Sequence, residues 1–212
     1  DRFDELSRVY EKQAEMAAGA REQVRILGKS AAIWEEKLHN EPKAIECSER
    51  ILSLDGENLA AAKSLENLYR REGQWEKLIA VMQHHASLSQ DRRELVALNV
   101  AIGEVLWKEL GRVDRAENVF GHALEIDPDS REAVSALARL YEGSGNWNPA
   151  LDMLRREVKL AAAGPDAVEI YARMGRIHEE MLQDRAEARA AYARAVDLDP
   201  GHVPSLRALR TI

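Results

Sequence analysis

The sequence predicts an all-α protein, a solenoid of antiparallel helix pairs, from its composition, an internal repeat and the spacing of its apolar residues. Of 212 residues 45% are hydrophobic, yet only 5% are aromatic and 32% are charged. With Ala and Leu abundant, that mixture suits amphipathic helices far better than sheet. The stretch from Gly111 through Ala116 and Phe120 to Asp127-Pro128 returns 72 residues later through Ala188 and Tyr192 to Asp199-Pro200. Apolar residues recur at three- and four-residue steps, as in Leu137, Leu140, Tyr141 and Leu151, Leu154, Val158.

Residues 1–17 come first: Phe3, Leu6, Tyr10 and Ala14 stand 72 positions before Trp75, Leu78, Met82 and Ala86, so they read as a second helix without its first. Five helix pairs are expected at 22–56, 58–90, 92–128, 130–164 and 166–201. The small or apolar residue early in each second helix falls at Ala44, Leu78, Ala116, Ala150 and Ala188, in alternating steps of 34 and 38. The four extra residues fit a longer first helix and loop. Residues 203–212 read as the start of one more first helix, Leu209 matching Leu137.

Turn-prone stretches at Arg71-Glu72-Gly73-Gln74, Gly143-Ser144-Gly145-Asn146 and Ala163-Gly164-Pro165-Asp166 separate the helices. Asp-x-x-Glu recurs at Asp91/Glu94, Asp114/Glu117, Asp129/Glu132, Asp166/Glu169 and Asp184/Glu187, where each Asp is expected to cap free backbone N–H groups. Half-units at both ends suggest a section of a longer array, with uncapped apolar faces able to self-associate.

Ala116-x3-Phe120 with Ala123 and Pro128, and Ala188-x3-Tyr192 with Ala195 and Pro200, resemble the second-helix signature of the tetratricopeptide repeat. Gly103 and Gly175 occupy its small close-packing position in the first helix, with Ala31 and Ala138 substituting, and Tyr69 and Tyr141 its aromatic position. The departures are the lengthened alternate units and Glu66 at the small position of the second unit. The resemblance implies a right-handed superhelix of about twelve helices whose first helices line a concave, ligand-binding surface.

A net charge of −7 and a pI near 5.5 disfavour nucleic acid as a partner. No apolar run approaches the roughly 18 residues of a membrane span, and the first residues have no basic and apolar leader pattern. Membrane insertion is therefore not expected. Cys47, alone, cannot form an internal disulfide, and a cytoplasmic location is expected.

Chemistry-bearing motifs fail on inspection. His178-Glu179-Glu180 opens like a zinc-protease helix but Leu182 stands where the second histidine belongs. Asp127-Pro128-Asp129 starts like a calcium loop but continues into Arg131. His84 and His85 are adjacent and point about 100° apart on a helix, and Cys47, between Ile45 and Ile51, reads as core. No enzymatic activity, metal or cofactor is expected.

Carried over from the family, the concave face should present Lys63, Asn67, Arg70 and Arg71, then Glu104, Trp107 and Lys108, then Arg139 and Glu142, then Arg176 and Glu179. Arg25, Glu35, Glu36, Glu132 and Glu169 complete the set. Trp107, without an aromatic counterpart in the other long units, is the expected exposed anchor. Lys63 and Asn67 resemble the start of a carboxylate clamp, but Ala101, Glu132 and Ala136 stand where further clamp residues belong, so chaperone tails are not the expected ligand. The expected function is a scaffold binding a peptide or protein along this face; the alternative is a structural or self-assembling spacer.

Overall fold

The structure is a computed structural model that describes residues 2–161 and 164–212; residue 1 of the first half-unit, and Ala163 of the expected turn at 163–166, lie outside the described residues. Among the described residues there are twelve α-helices and no strand. The chain divides into two compact units, Asp1–Asp91 and Arg92–Ile212.

The first unit holds α1 (Arg2–Met16), α2 (Ala20–Glu36), α3 (Glu41–Leu54), α4 (Leu59–Arg71) and α5 (Trp75–Leu88). Each helix packs on the next. Ala14, Ile26, Leu27, Ile51 and Ala61, from four different helices, make one buried cluster.

The second unit holds α6 (Arg92–Lys108), α7 (Val113–Ile126), α8 (Arg131–Gly143), α9 (Trp147–Leu160), α10 (Pro165–Arg176), α11 (Arg185–Leu198) and α12 (Val203–Thr211). Consecutive helices again pack together, and α6 also touches α8. Phe120, Leu106, Leu140 and Leu154 are almost wholly buried. Each such side chain contributes about 1.5–3 kcal/mol of transfer free energy.

The alternating unit length resides in the first helices alone. The second helices α3, α5, α7, α9 and α11 all have 14 residues. First helices α4 and α8 have 13, whereas α2 and α6 have 17. In the last long unit the 12 residues of α10 run on into a five-residue π turn, Ile177–Met181. The same widened closure appears in all three long units, where Leu38, Leu110 and Leu182 donate their N–H groups to the carbonyls five residues back.

A left-handed residue turns every first helix into its second. These are His39, Gly73, Gly111, Gly145 and Gln183, with φ between 49° and 73°. The pattern repeats at the 34- and 38-residue steps of the units, and only three of the five positions carry the residue that adopts this conformation without strain.

Helix starts are capped differently from expectation. Asp184 acts as a side-chain cap, accepting from the N–H groups of Ala186 and Glu187. Asp114 and Asp166 sit inside the first turns of α7 and α10, where a carboxylate favours the helix dipole instead. Asp129 falls one residue before the true cap, Ser130, which accepts from Ala133 N at 3.2 Å. Asn40 and Asn58 cap α3 and α4 in the same manner.

Candidate functional site

Successive first helices border grooves in both units. In the first unit α2 and α4 border about 260 Å³, walled by small residues: Gly28, Ala31 and Ala32 against Ala61 and Ser64. In the second unit α6 and α8 border about 640 Å³, with Ala97, Val100 and Ala101 facing Ser135 and Arg139. The second helix α9 also reaches this groove, through Glu157.

The structure disperses the expected contact residues. Glu35 and Glu36 line the α2–α4 groove, and Glu104, Glu132 and Arg139 line the α6–α8 groove. Glu142 and Arg176 border a smaller cavity of about 110 Å³ beside Trp147 and Arg173. Lys63, Asn67, Arg70 and Arg71 share one exposed face of α4 but stand outside the lining of the α2–α4 groove, which takes Ala60, Ala61 and Ser64 instead.

Many of these charges meet each other across the repeat. Arg71 bridges Glu35 at 2.7 Å and Glu41 at 3.1 Å. Glu104 receives Lys108 at 3.3 Å and Arg139 at 3.2 Å, and Arg173 pairs with Glu142. Glu179 accepts the Tyr192 hydroxyl at 2.9 Å. Pairs this exposed are each worth about 0–1 kcal/mol, so they set side-chain positions more than they hold the fold. Asn67, Arg70 and Arg176 have exposed side chains that make no hydrogen bond or ion pair among the described residues.

Trp107, expected as an exposed anchor, is half-buried. Its indole lies across the last turn of α8, where a Cβ on Gly143 would stand 2.9 Å from Cζ2. Lys108 Nζ lies over the same ring, 5.8 Å from its centroid. The residue therefore ties α6 to α8.

The face carried over from the family missed Glu157, on second helix α9, and also Arg131 and Arg173, which stand on first helices α8 and α10. Glu157 is 5% exposed although it carries a carboxyl group. Its signal lay in the spacing: it follows Leu151 and Leu154 on the buried stripe of α9. Glu66, the departure at the small position of α4, has a partner that its register explains: its Oε1 lies 2.7 Å from Nδ1 of buried His85 on α5.

No group of three or more His, Cys, Asp or Glu among the described residues is arranged to hold a metal ion. His178 is buried within the π turn, and Asp127 uses Oδ1 to accept the N–H of Asp129 in its own turn. No described helix is long and apolar enough to cross a membrane.

Models of the tetratricopeptide repeat match residues 61–96, 109–159 and 168–202, together more than half of the chain. Lipopolysaccharide assembly protein B of Escherichia coli strain K12 is 26% identical over 125 residues, covering 58% of this chain and 31% of that protein. The corresponding protein of Escherichia coli O157:H7 matches equally. The chain thus spans about a third of the length of these relatives.

Among solved structures, YrrB, described as a TPR protein with an unusual peptide-binding site, superposes with a TM-score of 0.60 at 16% identity. The match covers 95% of this chain and 97% of that one. MamA superposes with a TM-score of 0.59 at 14% identity, covering 93% of each. These likenesses are of fold.

Proposed function

This chain belongs to the tetratricopeptide repeat family, and we propose that it is a protein-protein interaction scaffold holding an extended peptide or protein segment along its first helices. The observation that carries this reading is the α6–α8 groove, which sets an apolar wall of Ala97, Val100 and Ala101 beside a charged rim of Glu104 and Arg139. Apolar surface supplies affinity there, while fixed charges of both signs select partner and orientation. The solved neighbour described as having a peptide-binding site, and the curated relatives named for an assembly task, support the same reading.

The test is selection of twelve-residue peptides from a displayed library on the 212-residue chain, repeated with Ala101→Arg, which fills the groove. Peptides enriched on the wild-type chain should be lost on the folded variant. Equal enrichment on both would remove the groove as the site.

A second reading, self-association, is favoured by exposed Phe3, Leu6 and Val9 on α1, of which Val9 is 48% exposed. Light scattering across a hundredfold concentration range distinguishes it. A constant monomer mass removes self-association, and a mass that rises but falls back with Leu6→Glu supports it.

A further inference from the structure

We propose that the α6–α8 groove receives a basic side chain, arginine or lysine, from the bound segment, with Glu157 as the buried carboxylate that accepts it. The inference rests on reading this groove as a peptide site and adds the chemistry of its ligand.

Among the places where the two units differ is one buried polar pair. In the first unit His85 on α5 is 2% exposed and meets Glu66 of α4 at 2.7 Å. Seventy-two residues later the same places hold Glu157 on α9, 5% exposed, and Ala138 on α8. A methyl group donates nothing, so the second unit keeps the buried polar group and lacks its counterpart from the facing helix.

Oε2 of Glu157 has no hydrogen-bond donor among the described residues. The ion pair it makes, with Arg173 Nη1, is 3.7 Å long, beyond hydrogen-bond range, and Arg173 is already engaged with Glu142. Leaving a buried carboxylate oxygen without a donor is costly, and folded proteins leave few buried polar groups unmatched. Here the carboxylate lines an open groove, so donors can arrive from outside the chain.

The remaining charges of the groove favour a cation. Arg131 is committed to Asp166 at 2.8 Å and Arg139 to Glu104 at 3.2 Å. Glu132, also in the lining, is exposed and makes no ion pair among the described residues. Glu132 therefore has no partner cation among the described residues, and Glu157 keeps only the long contact to Arg173, with Arg131 acting on it at a distance. The wall of Ala97, Val100 and Ala101 suits the methylene stem of lysine or arginine, whose charged head then makes charge-assisted hydrogen bonds at Glu157.

The experiment titrates the 212-residue chain with three Ala/Ser hexapeptides that carry one central arginine, lysine or citrulline, followed by amide NMR shifts at Ala101, Ser135 and Glu157. The arginine and lysine peptides should bind at least tenfold more tightly than the uncharged citrulline peptide. Glu157→Gln should erase that difference without lowering the thermal midpoint. A second variant, Ala138→Glu with Glu157→His, transplants the pair of the first unit and should erase it too.

Equal binding of arginine and citrulline peptides at these amides, or undiminished discrimination in Glu157→Gln, overturns the basic-side-chain inference and leaves the peptide groove standing. If none of the three peptides moves these amides while an unrelated library-selected peptide does, the inference again falls alone. If no peptide of either kind moves them, the groove reading falls with it.

Discussion

Gly103 on α6 and Phe120 on α7 stand so close that a Cβ on the glycine would collide with Cε1 of the ring. Gly175 and Tyr192 repeat the contact at 2.6 Å, 72 residues on. In the first long unit the same two places are Ala31 and Ser48. A small side chain on the second helix there accompanies a Cβ on the first, and the α2–α4 groove reaches Ser48 where the other units hold a ring. The aromatic ring and the missing Cβ are therefore one packing decision made twice and reversed once.

Gly103→Ala should destabilise the second unit by roughly 1–2 kcal/mol: overpacking a filled core costs about 1–3 kcal/mol, and alanine returns up to about 1 kcal/mol of helix propensity. With Phe120→Ala in place the sign should reverse, leaving only the propensity gain. Urea unfolding of the two single variants and the double variant measures the coupling. Additive effects would contradict the contact.

The left-handed turns give a prediction of opposite sign. His39 and Gln183 hold φ values of 49° and 55°, where Gly111 at the equivalent place holds 62°. A side chain in this region costs about 1–2 kcal/mol, part of which glycine loses again through the flexibility of the unfolded chain. Gln183→Gly should raise stability by about 0.5–1 kcal/mol, and Gly111→Ala should lower it by about 1 kcal/mol. The same urea measurement reads both.

Legibility in the sequence followed what is periodic. Helix phases, the 34- and 38-residue alternation and the aromatic–glycine positions all repeat, and repetition compensates for weak individual signals. The caps at Asn40, Asn58 and Ser130 escaped because Asp-x-x-Glu also arises wherever acidic residues crowd a first helical turn. The pairing of Arg71 with Glu35, or of Glu104 with Arg139, depends on rotamers across neighbouring helices, and spacing says only that the residues share a face. Glu157 escaped because it lies on a second helix, whereas the face carried over from the family was built from first helices alone. Its polar identity on an apolar stripe was the visible clue.

Glu66→Ala should cost roughly 1–3 kcal/mol, since it strips His85, 2% exposed, of the carboxylate at its Nδ1. Glu35→Ala, which removes a more exposed bridge to Arg71, should cost less than about 1 kcal/mol. Comparing the two variants by urea unfolding separates a buried hydrogen bond from a surface ion pair. Equal losses would mean that the Glu66–His85 contact adds nothing beyond surface electrostatics.

Alkaline pH should unfold the protein partly through Cys47. Burial pushes its thiol from the usual 9.0 up to about 11. Because the folded value lies above the unfolded one, the stabilising contribution is complete below pH 9 and is lost as pH rises through 11, at a slope approaching about 1.4 kcal/mol per pH unit. Tyr69, Tyr141 and Tyr192 are also raised, first by burial and then by donating to Glu49, Glu117 and Glu179, so they add losses of the same sign from their usual 10.0 upward. The thiol share is therefore cleanest between pH 8.5 and 10. Over that interval the wild-type chain should lose roughly 1 kcal/mol more than Cys47→Ala, and iodoacetamide should label Cys47 only as fast as the first unit opens. Parallel pH profiles for the two chains would place the thiol in contact with solvent.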